Sequence, residues 1–100
     1  MVIIKPSLIH GKGVFAIQNI KKDEILECDV LEVPKGDIIN DYVFPFVGNR
    51  VCIHIGFASF LNSSNNPNIK HIKIDTIKKI SYFKTLKDIQ PNEEITLKYL

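Results

Sequence analysis

Few residues in this chain have types and spacings that do chemistry. His10-Gly11-Lys12-Gly13 sets two glycines around a lysine. Glycine frees the backbone to turn and leaves no side chain between main chain and ligand, so G-x-G is either a plain turn or a place where backbone approaches a bound group. Asn62-Ser63-Ser64-Asn65-Asn66-Pro67-Asn68 gathers amides and hydroxyls that satisfy turn backbone or meet a ligand. Cys28 and Cys52 lie inside apolar runs, where a free thiol behaves as a small hydrophobe, so both are expected buried and reduced. With two cysteines and three scattered histidines, His10, His54 and His71, there is no C-x-x-C spacing and no metal site is expected. From Asp23 to Asp41 the carboxylates of Asp23, Glu24, Glu27, Asp29, Glu32, Asp37 and Asp41 face a single basic residue, Lys35. Such a patch attracts cationic partners, a lysine-rich peptide for example, and repels phosphate backbones; the alternative is a solvated acidic edge.

At 100 residues and 45% hydrophobic, the chain is long enough for one core and too short for a separate cofactor domain, so a site must be built from its loops. Ile, Lys and Asn are heavily used, as AT-rich genomes favour, which speaks of source and not of activity. The net charge of +2, with basic residues mostly scattered singly, is too small to argue for nucleic acid by itself, and no direct nucleic-acid binding is expected. No signal-peptide pattern is present and no apolar run approaches the ~20 residues of a membrane span. The expectation is a soluble intracellular protein of the cytoplasm or a host nucleus, without membrane contact.

Short apolar, β-branched runs recur: Val2-Ile3-Ile4, Val14-Phe15-Ala16, residues 25–33, 51–55, 69–74 and 80–83, and Ile95-Thr96-Leu97. These predict strands. Breakers at Pro6-Ser7, Gly11-Lys12-Gly13, Pro34-Lys35-Gly36, Gly48-Asn49, residues 65–68 and Pro91-Asn92 leave room for one short helical turn, residues 56–62. Two segments look alike, residues 20–25 and 89–95: each is a polar turn feeding a Glu-Ile strand start. Many short strands without helices imply a mainly β or irregular β fold.

Three motifs in order span nearly the whole chain. His10-Gly11-Lys12-Gly13-Val14-Phe15-Ala16 resembles the opening signature of SET domains, the β-rich scaffold of protein-lysine methyltransferases. Residues 56–68 resemble that family's central motif, a small-residue turn, then N-H-S, then a stretch ending in P-N. Asp88 to Tyr99 resembles its closing G-E-E-I-T-x-x-Y. The nearest likeness is to small stand-alone SET proteins of large DNA viruses and bacteria, where Asp41-Tyr42-Val43-Phe44 also has a counterpart.

The resemblance implies a single SET domain over 1–100, a β-clip of short strands in which the central Asn segment and the closing strand form a C-terminal pseudoknot. It implies transfer of a methyl group from S-adenosylmethionine to the ε-amine of a protein lysine, a histone in chromatin being one candidate. Gly11, Lys12, Gly13, Asn62 and Ser63 then surround the cofactor, Tyr99 stands beside the transferred methyl, and Tyr42 walls the lysine channel. Such an in-line displacement needs a neutral, desolvated lysine held close to the methyl, which a narrow apolar channel supplies by stripping water from the ammonium and lowering its pKa. A tyrosine hydroxyl at the channel's end orients the amine and accepts weak C–H···O contacts.

The chain departs from the family pattern in two ways. Ser63 stands where the family has the histidine of N-H-S, and the sequence stops one residue after Tyr99 without a segment to close over the cofactor. It also lacks a cysteine-rich, zinc-binding flank. The departures keep two other readings open: a SET-like module that binds a basic peptide or protein without turnover, and a homodimer in which a second subunit supplies the missing wall.

Overall fold

The computed structural model describes residues 1–34, 43–45 and 50–98. Among them are nine strands, seven of which coincide with the runs of branched apolar residues: β1 (Val2–Pro6), β2 (Lys12–Ala16), β3 (Ile25–Pro34), β4 (Val43–Pro45), β5 (Arg50–His54), β6 (Asn62–Ser63), β7 (Ile69–Asp75), β8 (Ile80–Thr85) and β9 (Glu94–Leu97). The expected helical turn is a 3-10 turn at Phe57–Phe60. The mainly β architecture expected from the sequence is present, in two sheets of order β1-β2-β9-β6 and β4-β5-β3-β8-β7.

Lys12 and Gly13, expected in a turn, belong to β2 and pair with Pro6 and Lys5. The two-residue strand β6 was also not expected, because no run of β-formers marks it. It exists because β9 offers it an edge: Asn62 pairs in parallel with Thr96 and Ser63 with Leu97, and Ser64 N donates to Leu97 O at 3.0 Å. β9 also pairs antiparallel with β2, Val14 opposite Ile95. Segments from the start, middle and end of the chain therefore lie side by side in one sheet.

The two look-alike segments meet each other. Ile20 and Ile89 exchange backbone hydrogen bonds at 2.9 and 2.7 Å and are both buried. Each is followed by a turn residue at positive φ, Asp23 at 67° and Asn92 at 69°, residue types that enter the left-handed region at lower cost than most. The core beneath both sheets is drawn from Val14, Ile20, Ile69, Phe83, Ile89 and Ile95, each 0 or 1% exposed. Burial of each such side chain contributes about 1.5–3 kcal/mol, which makes this cluster the main support of the loops above it.

Candidate functional site

Two glycines shape the loop between β1 and β2, for different reasons. Gly11 takes φ +45°, a left-handed conformation that other residues adopt at a cost of about 1–2 kcal/mol. The turn is closed by Ser7 N donating to Gly11 O at 2.8 Å and by Ile9 N donating to Ser7 Oγ at 2.9 Å. Gly13 has an ordinary backbone, but a Cβ there would lie 2.9 Å from Glu94 Cδ and 3.0 Å from Ser7 Cβ. Absence of a side chain at Gly13 is what admits the Glu94 carboxylate.

That carboxylate joins the three motifs. Glu94 Oε1 accepts a hydrogen bond from the Ser7 hydroxyl at 2.7 Å, and Oε2 accepts one from Asn62 Nδ2 at 2.9 Å. The same Asn62 amide donates to His10 O and Lys12 O, both at 3.1 Å. Three oxygens around one NH₂ group fix its orientation and require one hydrogen to be shared. The Asn62 residue is buried, and its side-chain amide is committed to the protein.

Asn68, the last residue of the central motif, does for β9 what a strand neighbour does. Its Oδ1 accepts from Thr96 N at 2.8 Å, its Nδ2 donates to Glu94 O at 2.8 Å, and its own N donates to Thr96 O at 3.2 Å. It is 3% exposed, so these bonds are made away from water, where an unpaired partner is costly.

The result is a cleft of about 250 Å³ between the glycine loop, His10, Gly11 and Lys12, and the segment Ser59 to Asn62. Its walls combine main-chain polar groups, the Lys12 cation and the Phe60 ring, which is 40% exposed. Such a lining suits a small molecule with an anionic end and a flat or apolar portion. Of the residues singled out in the sequence, Gly11, Lys12 and Asn62 line this cleft and Gly13 underlies the loop. Ser63 is the exposed residue of β6, opposite Leu97. Tyr42 and Tyr99 lie outside the described residues. Sequence reasoning passed over Ser7, Glu94 and Asn68 as individual contributors. Glu94 and Asn68 stood inside recognised motifs, whereas Ser7 carried no signal, because its partner lies 87 residues away.

The acidic run is partly neutralised: Asp23 ion-pairs with Lys84 at 3.4 Å and Glu32 with Lys79 at 3.5 Å, while Glu27 and Asp29 are exposed. Asp37 and Asp41 lie outside the described residues. The Cys28 thiol is buried and points to Ile55 O at 3.4 Å; burial pushes its pKa up, which disfavours the nucleophilic thiolate. The Cys52 side chain lies outside the description. His54 and His71 pack on Phe83, ring centroids 5.6 and 5.2 Å away. Burial first, then the neighbouring His71, brings the His54 pKa down to about 4.

Comparison with known proteins bears on this geometry. The chain is 29% identical over 98 residues to the histone H3 lysine-37 specific histone-lysine N-methyltransferase of Schizosaccharomyces pombe, covering 89% of this chain and 66% of that protein. It is 32% identical over 111 residues to the H3 lysine-4 specific histone-lysine N-methyltransferase of Neurospora crassa, covering 93% of this chain but only 8% of that protein. Among solved structures it superposes on a Plasmodium falciparum candidate histone methyltransferase with a TM-score of 0.84 at 27% identity, covering 99% of this chain and 96% of the other. The SET domain model matches residues 11–100, the span that contains the glycine loop, the central Asn segment and the closing strand, and the chain belongs to the SET domain family.

Proposed function

We propose that this chain transfers a methyl group from S-adenosylmethionine to the ε-amine of a lysine in a protein, with a histone tail as the leading substrate class. The observation that carries the reading is the Asn62 amide bound to His10 O and Lys12 O, which closes the central motif onto the glycine loop around a single cleft. Lys12 offers a cation for a carboxylate and Phe60 an apolar face for the flat portion of a nucleoside. These are the features that such a cofactor needs, and when bound it supplies the electrophilic methyl. Ser63 lacks the imidazole of the family histidine, so affinity rests on the backbone of β6 and on Lys12. The hydroxyl of Tyr99 orients the lysine amine, and the exposed carboxylates Glu27 and Asp29 attract a basic tail.

The test is calorimetric titration with S-adenosylmethionine alongside methyl incorporation into a core-histone mixture. Binding plus incorporation supports the reading, with Tyr99→Phe losing about 10²–10³ in rate at unchanged cofactor affinity. Asn62→Ala is expected to weaken the cofactor far more than the exposed Asn65→Ala does, because only Asn62 holds the glycine loop. Serine at position 63 favours a second reading, a module that grips a basic tail without turnover. That reading gains if a histone peptide binds while incorporation is absent across a broad substrate panel.

A further inference from the structure

β3 is covered unevenly. On one side β8 pairs with it from Ile25 to Asp29, whereas on the other β5 pairs with it only from Val30 to Pro34. Continuing the register of Val30 with His54 would set Phe57 opposite Glu27, but the chain leaves that line at Gly56, at φ +116° where residues with side chains are rare, and enters the 3-10 turn. The first half of β3 therefore keeps an uncovered edge. A groove of about 360 Å³ opens beside it, lined by Met1, Val2, Ile25, Leu26, Glu27 and Phe57. We infer that this groove takes an extended segment of another protein, added antiparallel to β3 as a strand, with a basic side chain opposite Glu27 and apolar residues flanking it in sequence.

Alternation along β3 decides which groups face the groove. Val30 N donates to Lys79 O at 3.1 Å and Thr85 N donates to Glu24 O at 3.0 Å, so the even-numbered residues turn their backbone to β8. Asp29 O accepts from Ile55 N at 2.9 Å, which shows the odd-numbered residues turned the other way. Ile25 and Glu27 thus direct N–H and C=O to the open edge, where no described residue bonds them. Across the groove, β1 is the outer strand of its sheet. Met1 O accepts from Ile17 N at 3.0 Å, so Val2, next in the alternation, turns its own backbone away from β2. A row of alternating donors and acceptors is met by another backbone in extended form.

Side chains give the added strand its chemistry. Glu27 is exposed and has no cation within ion-pair distance among the described residues, the Met1 amino group included. The lysines nearest to it lie toward β8 and are engaged: Lys84 with Asp23, Lys79 with Glu32, and Lys73 over the ring of Tyr82, the residue opposite Glu27 on β8. Asp29, two residues on, is exposed on the same face and adds to the negative charge. Directly opposed residues share a face and opposite charges there attract, so a basic residue is favoured opposite Glu27. Its neighbours along the added strand point to the other face, toward Leu26 in the core and Phe57 packed against that core, and are favoured if apolar. No residue of the groove lines the cofactor cleft. The inference is therefore independent of methyl transfer and is read without cofactor.

The experiment is fluorescence anisotropy of a labelled Val-Lys-Val-Lys-Val-Lys-Val peptide titrated with the full chain at low salt. In the inferred register the lysine amides donate to β3, so N-methylation of those amides should weaken binding at least about tenfold. N-methylation of the valine amides, on the far edge of the peptide, should cost far less. Glu27→Gln is expected to weaken the unmethylated peptide by up to about fivefold at unchanged melting temperature, a difference that disappears near about 0.5 M salt. Glu27→Lys, which opposes like charges, should weaken it further. No binding of the lysine peptide, equal losses from the two methylated peptides, or equal binding of a Val-Glu-Val-Glu-Val-Glu-Val peptide overturns the inference. So does a dimer in light scattering that becomes a monomer in Ile25→Pro, since a second copy then covers the edge; that proline removes an N–H facing the groove and leaves the ladder with β8 intact.

Discussion

In the five-stranded sheet, β3, β8 and β7 run ten, six and seven residues and pair through long antiparallel ladders, that of β7 and β8 interrupted by one bulge. In the four-stranded sheet the strands that frame the cleft are shorter, with four residues in β9 and two in β6. The first sheet is held by registered backbone bonds over a packed face centred on Phe83. The second is too short for that, and the side chains of Asn62, Asn68, Glu94 and Ser7 supply the missing connections. The difference places the polar, geometry-sensitive bonds at the cleft and leaves the apolar sheet as its platform. Substitutions in the platform should therefore act through volume, and those at the cleft through orphaned hydrogen-bonding groups.

The largest effect expected is that of Phe83→Ala, which opens a cavity against Phe57 and both histidines. A loss of about 3–5 kcal/mol in denaturant unfolding is anticipated. A loss below ~1 kcal/mol would mean that the platform is not built on this ring.

Asn68→Ala comes next, because it leaves Thr96 N and Glu94 O without partners inside the protein. Each orphaned group costs about 1–3 kcal/mol, and Asn65→Ala, exposed a few residues away, serves as the control. If the two variants unfold at the same denaturant concentration, side-chain amides do not complete the short sheet.

Acid sharpens the same contrast. His54 stays neutral in the folded protein down to about pH 4, whereas in the unfolded chain it titrates near 6.5. As pH falls, the unfolded state takes the proton first, so stability is whole above about pH 6.5 and declines toward pH 4. The decline is on the order of 2–3 kcal/mol. His71 is displaced in the same direction by its own burial. The decline should flatten in His54→Phe, measured as the difference between variant and wild type at each pH, which cancels the carboxylates common to both. An identical pH profile in the two proteins would remove the buried imidazole as the cause.

The smallest effect belongs to the ion pairs that join the β7–β8 hairpin to the acidic run. Lys84→Ala should cost less than about 0.5 kcal/mol, because Lys84 and Asp23 are both substantially exposed to solvent. A cost above 2 kcal/mol, persisting at about 1 M salt, would show the pair to be structural.

Strand positions were legible in the sequence because runs such as Ile80 to Phe83 and Ile69 to Ile74 combine β-branched residues with bounding turns, a local signal. The likeness of residues 20–25 to 89–95 was legible too, but not that Ile20 and Ile89 pair with each other. The three motifs implied a shared site through their order. Their joining by one amide and one carboxylate was not readable, since a hydrogen bond such as Ser7 to Glu94 leaves no periodic trace over 87 residues. Strand β6 escaped for a related reason: two residues have no intrinsic preference strong enough to register, and an available edge on β9 decides their conformation.

Charge shows the same division. The sequence by itself determined how many lysines and carboxylates there are, the acidic run from Asp23 to Asp41, and the glycines on either side of Lys12. Only the tertiary structure decided that Lys79 and Lys84 spend their charge on that run while Lys70 and Lys73 share one face. That outcome depends on a bulge and on which strand lies beside β3, and both are set by the packing of the buried face rather than by the charged residues themselves.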